Sequence, residues 1–253
     1  MIVQQIRNAT LIVQYAKKKF LIDPVLAEKG AYPPFQDTIR QDQRNPTVDL
    51  PISVDNIINN IDAVIATHLH SDHFDACAMD LLAKDIKLFV QNEADAAKLA
   101  AVGFHNKEIL STDTLFDDIR LYKTPGQHGR GEILNSMGNV SGVIFQHPEE
   151  KSLYIAGDTV WYEGIHDVIT SYQPEIIIVN GGANQKLACG SIVMDKEDIY
   201  QLALAAPNSI IISSHMEAMN HWTLSRQELR DFVLQKGLTT QVYVPEDGES
   251  YKF

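Results

Sequence analysis

The segment His68-Leu69-His70-Ser71-Asp72-His73 constrains this chain more than any other stretch of it. Three imidazoles and a carboxylate stand within six residues, directly after the apolar run Ala63-Val64-Ile65-Ala66. A strand that ends in such a cluster has a direct chemical use. Neutral imidazole nitrogens and carboxylate oxygens suit divalent zinc, manganese or iron. His68 and His70 are two apart, so an extended segment points both rings to one side. Asp72 and His73 follow as the chain turns, and are placed to face a second ion beside the first. One coordination sphere hardly needs four ligands from one loop and more from afar, whereas two adjacent ions do.

Three further strand ends supply metal-capable side chains. His128 lies in the Gly-flanked loop Pro125-Gly126-Gln127-His128-Gly129, after a strand-like run. Asp158 ends Leu153-Tyr154-Ile155-Ala156-Gly157, and His215 ends Ile210-Ile211-Ile212-Ser213-Ser214. Each has an ordinary alternative: a solvated histidine run, a satisfied loop histidine, a turn aspartate. His221 lies six residues past His215 and competes with it, but His215 directly ends the strand and is preferred as the ligand. His221 then becomes a pocket residue that binds substrate or protonates a leaving group, against a packed or exposed histidine.

At these residues the chain resembles the metallo-β-lactamase-fold superfamily, through H-x-H-x-D-H followed by His128, Asp158 and His215. The resemblance covers nearly the whole chain. Asn8-Ala9-Thr10-Leu11-Ile12-Val13, Phe20-Leu21-Ile22-Asp23-Pro24 and Gly157-Asp158-Thr159-Val160-Trp161-Tyr162 look like the branch of ascorbate-6-phosphate lactonase-like metal-dependent hydrolases. Many members of that branch carry His where this chain has Asn8.

The resemblance implies an αββα sandwich, an α/β (α+β) fold of two mixed sheets flanked by helices, with two divalent ions at one edge. Zinc is the first choice, with manganese or iron as alternatives. His68, His70 and His128 would hold one ion, Asp72, His73 and His215 the other, and Asp158 would bridge them. A carboxylate can bridge where an imidazole cannot. Two such ions sit roughly 3.5–4 Å apart and lower the pKa of bound water toward about 7, which makes hydroxide the nucleophile. Asp72 would orient that hydroxide and take its proton. The implied activity is hydrolysis of an ester, lactone or phosphodiester bond in a small, anionic molecule. The alternatives are an iron-dependent oxidoreductase of the sulfur dioxygenase kind and a metal-binding protein without catalysis.

Softer assignments surround the ligands. Asp23 is placed to accept the free N–H of a ligating imidazole, the usual arrangement for metal-bound histidine; its alternative is a turn cap before Pro24. Thr159 is a candidate support for Asp158. Tyr32 and Phe35 stand in the proline-punctuated segment 26–56, a long irregular stretch of a kind that is often functional. They, Arg130 and Trp161 are the candidate substrate-binding residues. Arg130 would clamp a carboxylate or phosphate, and Trp161 would wall the pocket. Gly181-Gly182 is read as letting the backbone pass close to the site.

The bulk properties fit this picture. At 253 residues the chain can bury the core of a single hydrolase domain over 1–253. A formal charge of −12 argues against broad nucleic-acid or membrane binding through net charge. Cys77 and Cys189 form no C-x-x-C pair and are read as small hydrophobes. The chain opens without a signal-peptide pattern, and no apolar run reaches membrane-spanning length. The expectation is a cytoplasmic protein acting on a small molecule; self-association into a homo-oligomer is compatible with it. Hydrophobic periodicity predicts strands at 2–6, 10–15, 19–23, 62–67, 86–90, 108–111, 118–124, 140–147, 152–157, 175–179, 209–213, 241–244 and 249–252. It predicts helices over 75–83, 92–102, 161–172, 195–205 and 225–236.

Overall fold

The computed structural model of the chain describes residues 1–187 and 189–253. In chain order the first strands are β1 (Ile2–Arg7), β2 (Thr10–Tyr15), β3 (Lys18–Ile22), β4 (Ala63–Ile65), β5 (Lys87–Val90) and β6 (Lys107–Ile109). Then come β7 (Thr114–Phe116), β8 (Ile119–Pro125), β9 (Ser141–Gln146), β10 (Leu153–Ile155) and β11 (Ile176–Asn180). A short pair, β12 (Gln185–Lys186) and β13 (Gly190–Ser191), precedes β14 (Ile210–Ser214), β15 (Val242–Tyr243) and β16 (Ser250–Lys252). The helices are α1 (Val54–Ile58), α2 (Ala76–Leu81), α3 (Glu93–Ala101), α4 (Leu134–Met137), α5 (Glu163–Tyr172), α6 (Lys196–Ala205) and α7 (Arg226–Gln235).

Two seven-stranded sheets form, in the orders β16-β1-β2-β3-β4-β5-β6 and β15-β14-β11-β10-β9-β8-β7. Both are mixed. Antiparallel hairpins build β1 to β3 and β7 to β10, where tight turns join neighbours. Parallel pairing takes over from β3 to β6 and from β10 through β11 and β14 to β15, where crossovers contain helices. The sheets face each other across one apolar layer that joins Val13, Phe20, Ile22 and Phe89 to Leu121, Val143, Phe145 and Ile178. Phe20 meets Phe145 edge-on at 5.1 Å. The outer face of the first sheet packs on Ala78 of α2 and Leu99 of α3. That of the second packs on α5, α6 and α7 through Ile165, Ile199 and Leu229. The αββα sandwich expected from the resemblance is therefore present. Strands covered on both faces read as unbroken apolar runs, as Ile176-Ile177-Ile178-Val179 does.

Helix ends follow side-chain chemistry. Asp75, Asn92, Asp195 and Ser225 each cap a helix by accepting a backbone N–H, and Ser225 with Glu228 forms a capping box. Some expectations need correction. The third strand starts at Lys18 and ends at Ile22, not at 19 and 23. Strand β7, the helical turn over 131–137 and the β12–β13 pair were not anticipated. Cys77 is half-buried, but Cys189 is exposed, so it is no hydrophobic filler. Among the described residues no helix is long and apolar enough to cross a membrane.

Candidate metal centre

The C-terminal ends of β4, β8, β10 and β14 all open at one edge of the sandwich, and there the seven predicted ligands meet. His68, His70 and His128 bring ligand atoms within 4.8 Å of one another; so do His68, His73 and Asp158, and so do Asp72, His73 and His215. Asp158 stands at the centre. Its Oδ2 lies 3.3 Å from His128 Nε2 and 3.9 Å from His68 Nε2. Its Oδ1 lies 3.1 Å from His73 Nε2 and 3.9 Å from His215 Nε2. One carboxylate thus turns one oxygen to each of two histidine groups. Asp72 Oδ2 lies 3.4 Å from His215 Nε2, on the second group.

The donor set fits divalent cations on an observation of its own. The Nε2 atoms of His68, His73 and His215 are buried and have no hydrogen-bond partner among the described residues. Buried ring nitrogens without partners are costly unless something else satisfies them. Their other nitrogens are oriented in two cases. His73 Nδ1 meets Asp23 at 2.8 Å, and His68 Nδ1 lies 3.2 Å from the Thr67 hydroxyl. His128 Nδ1 donates to the Ile192 carbonyl at 2.8 Å. These contacts leave Nε2 of each ring toward the centre.

The charged groups of the cluster act strongly on one another. Burial pushes the Asp158 carboxyl up, yet His73, His215 and His128 outweigh it and hold Asp158 well below the usual carboxylate range. Asp72 is held low in the same way against burial, first by His215 and then by His73 and His221. Burial also works against a charge on His73, but Asp158 and Asp23 overcome it and raise its pKa well above normal. Burial lowers His68 and His128.

The remaining predicted residues divide. Asp23 accepts from Thr67 N and Thr67 Oγ1, each at 2.7 Å, as well as facing His73. The Thr159 hydroxyl bonds elsewhere than to the Asp158 carboxylate: it accepts from Gln127 N at 3.0 Å and donates to the Val160 carbonyl, bracing the His128 loop. A cavity of about 310 Å³ opens onto His70, Asp72, His128 and His221. Phe35, Met137 and Ile192 form its apolar side; Gln36, Asp37, Thr38, Ser71, Ser136 and Lys186 line the rest. Phe35 meets the His221 ring edge-on at 4.9 Å. His221 Nε2 lies 3.5 Å from Asp72 Oδ2, and burial pushes its pKa down to about 4 despite the pull of Asp72.

Tyr32, Arg130 and Trp161 are not on the cavity wall. The Tyr32 hydroxyl donates to Asp75 Oδ2 and accepts from Cys77 N, which secures the start of α2. Arg130 turns away to pair with Asp198 of α6 at 2.6 Å. Trp161 packs against the core beneath α5. Asn180 and Asn8 were missed. Asn180 Nδ2 donates to Asp158 Oδ1 at 2.6 Å, and Asn8 Nδ2 donates to the Asp72 carbonyl at 2.6 Å. A polar residue closing the buried run 176–179 was the available signal for Asn180. Close backbone approach at Gly182 is evident: a Cβ there would lie 2.3 Å from the His215 carbonyl.

A model of the beta-lactamase superfamily domain matches residues 18–216. The chain belongs to that superfamily. It is 62% identical to the UPF0173 protein YddR of Bacillus subtilis over 99% of both chains. An isothiocyanate hydrolase from Delia radicum gut bacteria is 42% identical, with a TM-score of 0.96 over 100% of this chain and 99% of that one. A possible metal-dependent hydrolase from Veillonella parvula is 37% identical, with a TM-score of 0.97 over the same shares. The chain is thus a UPF0173-type member of a metallo-hydrolase fold, with a His/Asp cluster able to bind metal. These relatives do not single out the lactonase-like branch.

Proposed function

We propose that the protein is a metal-dependent hydrolase that uses two divalent ions, zinc foremost, to add water to the central carbon of a small isothiocyanate. The observation that carries the two-ion reading is the division of Asp158 between two histidine groups, in which the inward nitrogens of His68, His73 and His215 lack partners. His68, His70 and His128 would hold one ion, Asp72, His73 and His215 the other, with Asp158 shared. When bound, such ions acidify water and stabilise negative charge building on a substrate atom.

The chain's own residues then handle protons and position. Asp72, held ionised, takes the proton lost by the attacking water. His221, neutral and within 3.5 Å of Asp72, relays it to the substrate nitrogen. Water adds across C=N to give a thiocarbamic acid, R–NH–C(O)SH, which splits into amine and carbonyl sulfide. Phe35, Met137 and Ile192 receive the R group and exclude bulk water.

The substrate class rests on likeness to the isothiocyanate hydrolase, 42% identical over the whole chain. The cavity supports it, being small and apolar on one side. Ester or lactone cleavage would need the same proton moves. A phosphodiester anion fits less well, because Lys186 is the only Lys or Arg on the described wall and Asp37 shares that wall. The test supplies benzyl isothiocyanate to metal-free and zinc-restored protein and measures amine and carbonyl sulfide. Zinc-dependent release of both is expected. Inactivity toward it, with cleavage of a lactone or of bis(p-nitrophenyl) phosphate, would reassign the substrate.

A further inference from the structure

Asp72 and His215 belong to the same ligand group but reach it from different sheets. Asp72 follows β4 of the first sheet, and His215 follows β14 of the second. Their side chains lie 3.4 Å apart, with no backbone hydrogen bond between the two residues. Both backbones are instead tied to a single residue, Asn8, in the two-residue turn between β1 and β2. Asn8 Nδ2 donates to the Asp72 carbonyl at 2.6 Å. The Asn8 carbonyl accepts from His215 N at 3.0 Å, and also from Ser214 Oγ at 3.0 Å and Gln5 Nε2 at 2.8 Å. Asn8 is fully buried.

The residue type suits both tasks. Asn8 has φ of +58°, a left-handed backbone that asparagine tolerates better than most residues. That backbone turns its carbonyl to the His215 strand end while its amide reaches the Asp72 loop. The amide orientation is also determined, since the reverse would set oxygen against the Asp72 carbonyl oxygen. Asn8 has its Oδ1 buried with no hydrogen-bond partner among the described residues, so its ties run through Nδ2 and the carbonyl. It holds two ligand-bearing segments at a fixed spacing.

We propose that Asn8 is a positioning residue for one half of the metal centre, setting the spacing of Asp72 and His215 and hence the affinity of the ion they share with His73. This rests on the two-ion reading above. Its signature is graded: the tethers hold Asp72 and His215 directly, whereas His128 stands on the loop after β8 and His68 and His70 lie earlier in the Asp72 loop. A residue that merely stabilised the fold would weaken both ions alike or neither.

The experiment titrates zinc into metal-free wild type, Asn8→Gly and Asn8→Asp against a chromophoric chelator. Asn8→Gly keeps the left-handed backbone and the carbonyl tether but loses the amide. Asn8→Asp keeps shape and backbone but replaces the donor with an acceptor. In both, one of two zinc affinities is expected to fall about 10- to 100-fold, the range for lost partners of metal ligands, with the other falling less. In an His70→Ala background, which disables the first group, the weakened site is expected to be the one that remains. Unchanged affinities, equal weakening of both ions, or tighter binding in Asn8→Asp through its added charge would overturn the proposal. Wild type that binds only one ion would instead overturn the two-ion reading beneath it.

Discussion

Replacing Asp23 by Asn tests how the protein aims His73. Asp23 is 2% exposed and accepts three contacts, from Thr67 N, Thr67 Oγ1 and His73 Nδ1, between 2.7 and 2.8 Å. Its φ of +44° is one that Asn also tolerates, so backbone strain stays out of the comparison. The Asn oxygen can still serve Thr67 N–H. Its NH₂ must then face Thr67 Oγ1 and His73 Nδ1, and His73 Nδ1 becomes an acceptor. The ring proton moves to Nε2, where it points at Asp158 and blocks coordination. Metal affinity at that group is expected to fall about 10- to 100-fold, or about 1.4–2.8 kcal/mol. The metal-free protein is expected to lose about 1–3 kcal/mol from the weakened buried contacts. Chelator competition gives the first quantity and urea unfolding of the metal-free form the second. Wild-type zinc affinity at both ions in Asp23→Asn would refute the tautomer argument, whatever happened to stability.

Other outcomes follow from the same geometry. His70→Ala should abolish metal-dependent turnover yet leave unfolding nearly unchanged, because His70 is only half-buried and lies outside the three apolar clusters. His221→Gln should lower kcat by about 10²–10⁴ while zinc stoichiometry stays at the wild-type value, the pattern of a lost proton relay; steady-state kinetics with elemental analysis decides it. The Asp247 contribution to stability should fall as pH rises from 4 to 6, while that of His221, whose pKa is lowered to about 4, rises over the same range. Burial raises the Asp247 pKa from 3.8 to about 6 against the opposing pull of Arg226. The folded state therefore binds its proton more tightly than the unfolded chain, and ionisation costs roughly 3 kcal/mol that is fully present above pH 6 and absent below 4. Urea unfolding across that range should show the stability difference between wild type and Asp247→Asn changing by this amount.

Much of this architecture was legible from residue pattern because strands buried on both faces must be continuously apolar, and helices must end on capping chemistry. Asp158 and His215 could be found because each closes such a run. What sequence could not supply was the direction of loops. Arg130 stands two residues from His128, and adjacency suggested a substrate clamp. Gly129 and Gly131, both with positive φ, turn the chain there, and Asp198, 68 residues away, captures the guanidinium. Tyr32 was placed correctly in an irregular segment but serves the α2 cap, a contact across 43 residues. Phe35, three residues on, reaches the cavity because buried Asn220 accepts from its N–H at 3.0 Å and donates to Thr38 Oγ1 at 2.8 Å. Nothing local to Phe35 announces that partner. Asn8 was noted as a departure from the lactonase-like pattern, but its tethers join segments 64 and 206 residues distant.

The central claim is that Asp158 joins two metal positions. The most direct test is equilibrium dialysis of chelator-stripped protein against zinc, with metal per chain read by elemental analysis. Two zinc ions per chain are expected in the wild type. Saturation at one ion, or at none, would contradict it.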